Sequence, residues 1–150
     1  MKTLKPDTGG FSLMELVITM AVLSILVAIA YPSYVNFLLK GKRAEGRAAL
    51  VELMHQQERY MTQNNTYLLF PNTSGVPSPS VPFKIISGDL LEKSSYFLSS
   101  VNCESNPNKK ECVKLVATPV NSDSDPEAKE LHLYSTGEKS CTGSNQSVCW

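Results

Sequence analysis

The sequence is poor in the side chains from which enzymes build catalytic sites. It has two histidines and one tryptophan in 150 residues, and neither His55 nor His132 is spaced from the cysteines as zinc ligands usually are. It also lacks a phosphate-binding loop, a dinucleotide fingerprint and a recognisable pattern of nucleophile and base. We therefore expect neither an enzyme nor a protein that requires a metal or another cofactor.

Net charge is also missing from this sequence. Lys and Arg number 14 and Asp and Glu number 14, so the formal net charge is zero. A protein without net charge has no overall attraction for nucleic acid or for an anionic membrane. Binding to either partner would have to come from a local basic patch.

One long stretch has no charge at all. Residues 16–39 contain no charged side chain, and roughly twenty apolar residues suffice for a helix to cross a bilayer. Glu15 precedes this stretch, and a carboxylate at membrane depth is costly and by default functional. It needs a cationic partner, and cleavage after Gly10 would create one, the α-amino group of Phe11 on another subunit.

The segment GFSLMELV, which contains Gly10, Phe11 and Glu15, resembles the class III leader and N-terminal helix of type IV pilins, with two size-compatible departures from the usual GFTLIEL. The resemblance implies that a prepilin peptidase cuts between Gly10 and Phe11 and methylates the new amine. It also implies that Glu15 sets the register with a neighbouring subunit and that Pro32 bends the helix. An ordinary single-pass anchor or an uncleaved secretory signal explains the apolar length but not Glu15.

The resemblance divides the chain into a leader (1–10), an apolar transmembrane and filament-core half-helix (11–39) and a globular pilin domain (40–150). It implies an inner-membrane location before assembly, with the globular domain in the periplasm, and later a place in the extracellular filament. The implied partners are other pilin subunits, the prepilin peptidase and N-methyltransferase, and the inner-membrane assembly machinery.

The remaining patterns predict an α+β fold. Apolar residues and one amide form a single helical stripe after residue 40; its members are Leu50, Leu53, Met54, Gln57 and Met61. Residues 69–82 are rich in proline and serine and predict a loop. Alternating segments at 83–86, 96–102, 112–118 and 130–134 predict strands. Together they predict that the amphipathic half of a long helix packs on a roughly four-stranded antiparallel sheet, and the resemblance implies that this is the type IV pilin fold.

All four cysteines lie in the last third of the sequence. An even number in an exported region favours two disulfides. The spacing suggests Cys103 with Cys112 and Cys141 with Cys149, although four cysteines permit three pairings. We expect a C-terminal region stapled by disulfides, with a zinc site as the weaker alternative.

The chain resembles PilE-like pilins and minor pilins in two segments, RAEGRAALVELMHQQERYMTQNNTY and LHLYSTGEKSCTGSNQSVCW. The chain is therefore expected to be a minor pilus subunit that assembles through its N-terminal helix. One alternative is a ComP-like receptor that binds extracellular double-stranded DNA during natural transformation. A second is a type II secretion pseudopilin, against which the Cys149 and Trp150 ending argues.

DNA binding would require basic side chains grouped on one face, because phosphate neutralisation dominates affinity. The candidates are six lysines, with acidic neighbours that could cancel their charge: Lys84, Lys93, Lys109, Lys110, Lys114 and Lys139. Sequence-selective contacts would need amide donors, for which the candidates are Asn106, Asn108, Asn145 and Gln146.

Overall fold

The chain forms one long helix followed by a small sheet. The computed structural model describes residues 10–72, 81–104 and 112–150. Helix α1 spans Leu13–Asn64, and the strands are β1 (Tyr96–Asn102), β2 (Val113–Pro119), β3 (Leu131–Tyr134) and β4 (Lys139–Cys141). Short 3-10 turns occupy Leu91–Lys93 and Gln146–Val148. The chain divides into two compact units, Met1–Leu38 and Leu39–Trp150, which we call the apolar unit and the globular unit.

The helical part of the apolar unit is long and apolar enough to cross a membrane, and its large hydrophobic side chains are exposed. Two of its hydroxyl groups are satisfied within the helix, since Thr19 and Ser24 each donate to a backbone carbonyl three residues earlier, at 2.8 Å. Internal satisfaction of this kind is what a bilayer demands. Pro32 lies inside the helix, and the bend expected there stays a prediction.

Helix α1 ends where its amide-rich segment begins. Asn65 adopts a left-handed backbone conformation with φ 56°, and its N–H donates to the carbonyl of Met61 at 2.8 Å. The Asn64 side chain donates to the carbonyl of Tyr60 at 3.1 Å. Asparagine tolerates the left-handed conformation that commonly terminates helices. The end of α1 could therefore be predicted from the sequence.

The four strands form an antiparallel sheet in the order β1-β2-β3-β4. Its register places Leu98 opposite Ala117, and Ala117 opposite Leu131. These three side chains are fully buried and belong to one core cluster with Leu50 and Leu53 of α1. The predicted helical stripe therefore covers the sheet, and the α+β expectation is confirmed.

The strand predicted at 83–86 is wrong. This segment makes a single bridge, from Ile86 to Phe97, while the fourth strand is β4 at the other edge of the sheet. Beyond this bridge, at which the Leu98 N–H donates to the carbonyl of Ile85 at 2.8 Å, the segment is held by the helix. The Lys84 N–H donates to the side chain of Gln56 at 3.3 Å, and the Phe83 ring packs edge-on against Tyr60 with 5.7 Å between centroids.

One charged side chain of α1 lies in the core. Arg43 is 4% exposed, and its guanidinium donates to both carboxylate oxygens of Asp125, at 2.6 and 2.7 Å, and to Glu127 at 3.0 Å. Burial works to raise the pKa of Asp125, but the hydrogen bond and charge of Arg43, together with backbone hydrogen bonds from Ala128 and Glu127, outweigh it and hold that pKa below its ordinary value. This bidentate pair fastens the loop between β2 and β3 to the helix.

The cysteines pair as their spacing suggests. Cys103 is bonded to Cys112, with 5.7 Å between Cα atoms, and Cys141 to Cys149, with 6.2 Å. The expected disulfide-stapled C-terminal region is therefore confirmed. Because all four sulfur atoms are in disulfides, none is available as a thiolate for zinc.

Candidate nucleic-acid interface

The strand register sorts the candidate lysines between the two ends of the sheet. Asn102 pairs with Val113, and Leu133 pairs with Lys139. The last residue of β1 and the first residues of β2 and β4 therefore meet at one end, which we call the loop end because the Cys103–Cys112 disulfide closes its loop there. Lys114 and Lys139 share the loop end.

Lys114 is already neutralised at the loop end. It is 9% exposed, its Nζ donates to Glu104 at 3.0 Å, and it lies 5.7 Å from the centroid of the Tyr134 ring. Burial works to lower the pKa of Lys114, yet the hydrogen bond and charge of Glu104, together with Tyr134, leave that pKa above its ordinary value. A DNA phosphate would have to displace Glu104 to reach this ammonium group.

Lys139 is exposed and available. Its Nζ lies 4.9 Å from the centroid of the Trp150 ring, and that ring donates its indole N–H to the carbonyl of Ser140 at 3.1 Å. The indole thus holds the ammonium group by a cation–π contact, which restricts the lysine while leaving its charge accessible.

Lys109 and Lys110 lie outside the described residues, as do Asn106 and Asn108. Both ends of their loop are nevertheless fixed. The disulfide joins the ends covalently. The ion pair between Lys114 and Glu104 connects two residues close to these ends.

The other two lysines lie elsewhere. Lys84 belongs to the segment that bridges the outer edge of β1, with its Nζ 3.8 Å from Glu52 and 4.0 Å from Asp89. Lys93 belongs to the 3-10 turn that precedes β1, at the end of the sheet opposite the loop end. The described lysines are therefore not gathered on one face.

The amides of the C-terminal tail are also engaged elsewhere. Gln146 donates its side-chain N–H to the carbonyl of Cys141 at 2.7 Å, and the Asn145 side chain accepts from Ser147 at 2.7 and 3.2 Å. Cys141 is the last residue of β4, so these amides lie away from the loop end. The structure does not bring them to Lys114 and Lys139.

A groove beside α1 holds a basic residue, Arg59, that is not among the six candidate lysines. Its volume is about 270 Å³, and its lining is Gln56, Arg59, Tyr60, Gln63, Pro82 and Phe83. An exposed guanidinium beside aromatic rings can contact phosphates and stack on bases. The sequence feature that could have indicated this groove is the spacing of the long polar side chains at 56, 59 and 63, which places them on one helical face.

Two family models match this chain. Residues 32–131 match the family described as "Type IV minor pilin ComP, DNA uptake sequence receptor", and residues 6–31 match the prokaryotic N-terminal methylation motif. The first match spans more than half of the chain. The second includes the GFSLMELV segment and implies pilin partners and the processing machinery.

Individual relatives are more distant. The chain is 34% identical over 70 residues to the type IV major pilin protein PilA of Myxococcus xanthus, a match that covers 47% of this chain and 32% of that relative. A type IV pilin structure from Shewanella oneidensis aligns with 74% of this chain and 96% of its own, at 23% identity and a TM-score of 0.44. The match over residues 32–131 shows the family: the chain belongs to the ComP family of type IV minor pilins.

Proposed function

We propose that this minor pilin is a DNA receptor within a type IV pilus and acts as a filament subunit rather than as an enzyme. The match of residues 32–131 to a family described as a DNA uptake sequence receptor carries the proposal. The overall charge of the protein does not contribute to DNA binding, because the formal net charge is zero. The ligand is double-stranded DNA, held by a local patch.

The loop end of the sheet is the best-supported place for that patch. Lys139 presents an accessible ammonium group there, and Lys109 and Lys110 belong to the loop that the Cys103–Cys112 disulfide closes. A loop with tethered ends loses less conformational freedom on binding than an open one. Lysines would hold phosphates, and Asn106 and Asn108 in the same loop would supply base contacts.

The DNA contact is tested with the Lys109→Ala/Lys110→Ala variant. We expect its affinity for duplex DNA to fall by about tenfold at near-physiological salt, and the slope of log affinity against log salt to lose about two units, because two phosphate contacts are removed. The measurement is fluorescence anisotropy of a labelled duplex titrated with the full chain in neutral detergent.

The matched control for this experiment is Lys84→Ala/Lys93→Ala, which removes the same charge away from the loop end. It should change affinity by much less than the loop variant. Equal losses in the two variants would mean that binding follows total charge, and an unaffected loop variant would place the DNA contact elsewhere, with the Arg59 groove as the next candidate.

Assembly is proposed to proceed through the apolar unit. Cleavage between Gly10 and Phe11 and methylation of the new amine would produce the cation that Glu15 of a neighbouring subunit neutralises in the filament core. Before assembly the apolar helix would lie in the inner membrane, with the globular unit in the periplasm.

The Glu15→Ala variant should still be cleaved but should enter filaments several-fold less well than the wild type, because its neighbour's ammonium group is left unpaired in an apolar core. The readout is the amount of this subunit in sheared pili relative to its amount in the membrane. Glu52→Ala, which removes an exposed helical carboxylate of the globular unit, is the control. Normal incorporation of Glu15→Ala, or a protein in the envelope that begins at Met1, would contradict the assembly proposal.

A further inference from the structure

A second groove lies at the end of the sheet opposite the loop end, and we call it the base groove. Its volume is about 290 Å³. It is formed by the start of the globular part of α1, the turn before β1 and the segment after β2. Among its lining residues are Leu39, Lys42, Glu92, Lys93, Val120 and Asp125.

The covalent chain ties the base groove to the membrane boundary. Leu39 lines the groove and is also the last residue of the uncharged stretch 16–39. Lys42 follows three residues later in the same helix, which is a rise of roughly 4.5 Å. When the apolar stretch spans a bilayer, Leu39 and Lys42 must therefore lie at or near the level of the lipid headgroups.

The groove has an excess of accessible positive charge. Lys42 and Lys93 are both exposed. Of the two acidic residues in the lining, Asp125 is 3% exposed and accepts two hydrogen bonds from Arg43, so its charge is compensated. Glu92 alone opposes the two lysines within the groove.

Large apolar side chains lie close to Lys93, since Leu90 and Leu91 begin the turn that carries it. Leu90 is 58% exposed, Leu91 44% and Val120 45%. The N–H of Val120 donates to the carbonyl of Ser95 at 3.0 Å, which brings Val120 next to the turn that carries Lys93. Exposed leucines next to lysines at headgroup level are typical of a surface that inserts into an anionic membrane interface, whereas DNA would leave the leucines without a partner.

We propose that the base groove binds the phosphodiester headgroup of an anionic phospholipid from the bilayer that holds the apolar helix. Lys42 and Lys93 contact the phosphate, while Leu90, Leu91 and Val120 enter the interface. The lipid steadies the globular unit on the membrane before assembly, and the contact is given up when the subunit is extracted into a filament. This site is separate from the proposed DNA contact.

The test is native mass spectrometry of the full chain in neutral detergent, titrated with phosphatidylglycerol or with phosphatidylcholine. We expect the wild type to prefer phosphatidylglycerol. The Lys42→Gln/Lys93→Gln variant should lose about thirtyfold in affinity for that lipid, because each of the two lysines near an anionic surface contributes about 1 kcal/mol. Lys42→Arg/Lys93→Arg, which keeps both charges, should retain binding.

The matched control is Lys109→Gln/Lys110→Gln, which should bind phosphatidylglycerol like the wild type, just as Lys42→Gln/Lys93→Gln should bind DNA like the wild type. Circular dichroism checks that each variant is folded. Equal affinity for the two lipids, or unchanged phosphatidylglycerol binding in the Lys42→Gln/Lys93→Gln variant, would overturn the proposal. So would displacement of the lipid by an equal concentration of inorganic phosphate, which would indicate a site for free anions.

Discussion

Replacing Arg43 with alanine is expected to destabilise the globular unit by about 3–5 kcal/mol, because it leaves the buried carboxylate of Asp125 without its cation. Asp125 is 3% exposed and accepts two hydrogen bonds from Arg43. Water cannot readily replace the guanidinium at this depth. The measurement is urea unfolding, followed by circular dichroism, of a fragment that begins at Leu39, the first residue of the globular unit.

Two variants separate the unpaired charge from other causes. Arg43→Met/Asp125→Leu removes both charges together and should recover much of the lost stability, because buried ion pairs often contribute little net stability relative to apolar residues. Lys84→Ala breaks an ion pair in which Glu52 is 55% exposed and the distance is 3.8 Å, and it should cost at most about 1 kcal/mol. A loss in Arg43→Ala no larger than that in Lys84→Ala would refute the assigned role of Arg43.

Gly143→Ala should be nearly as damaging, at about 3 kcal/mol or more, because the added methyl group has nowhere to go. A Cβ at Gly143 would overlap the backbone carbonyl group of Glu127 and the carbonyl carbon of Ala128. The Gly143 N–H donates to the carbonyl of Ala128 at 3.0 Å. The two segments are therefore bonded together and cannot separate without losing that bond.

The control for Gly143 is Gly137→Ala. Gly137 has a φ of 86° but open space around its Cα, so alanine there should cost only the conformational penalty of roughly 1–2 kcal/mol. The same urea titration compares the two variants. If Gly143→Ala were the milder of the two, the close approach between the tail and the β2–β3 loop would not exist in solution.

The features that sequence determined are those set by local patterns. The uncharged stretch 16–39 predicted a helix long and apolar enough to cross a membrane, and the structure has that helix. The spacing of Leu50 and Leu53 fixed the buried face of α1, and the asparagines at its end fixed where it stops. Even the disulfides followed spacing, because each closes a short loop.

The missed features depend on residues far apart in sequence. Burial of Arg43 was not predicted, although it precedes Leu50 by seven residues and therefore lies on the same helical face. Its charge tolerates burial because Asp125, 82 residues away, accepts its hydrogen bonds. The segment 83–86 has a strand-like pattern, but Gln56 binds its backbone from the helix.

The candidate lysines show the same division between sequence and structure most clearly. The sequence shows which lysines are candidates and which of them lie in loops. Their positions on the sheet depend on its register, which places Lys139 at the loop end and Lys93 at the opposite end. Sequence by itself determined a membrane helix, an α+β domain and its disulfides, because these follow from local spacing and composition. Only the tertiary structure decided which charges are neutralised and which share a surface, because pairing between distant strands sets those distances.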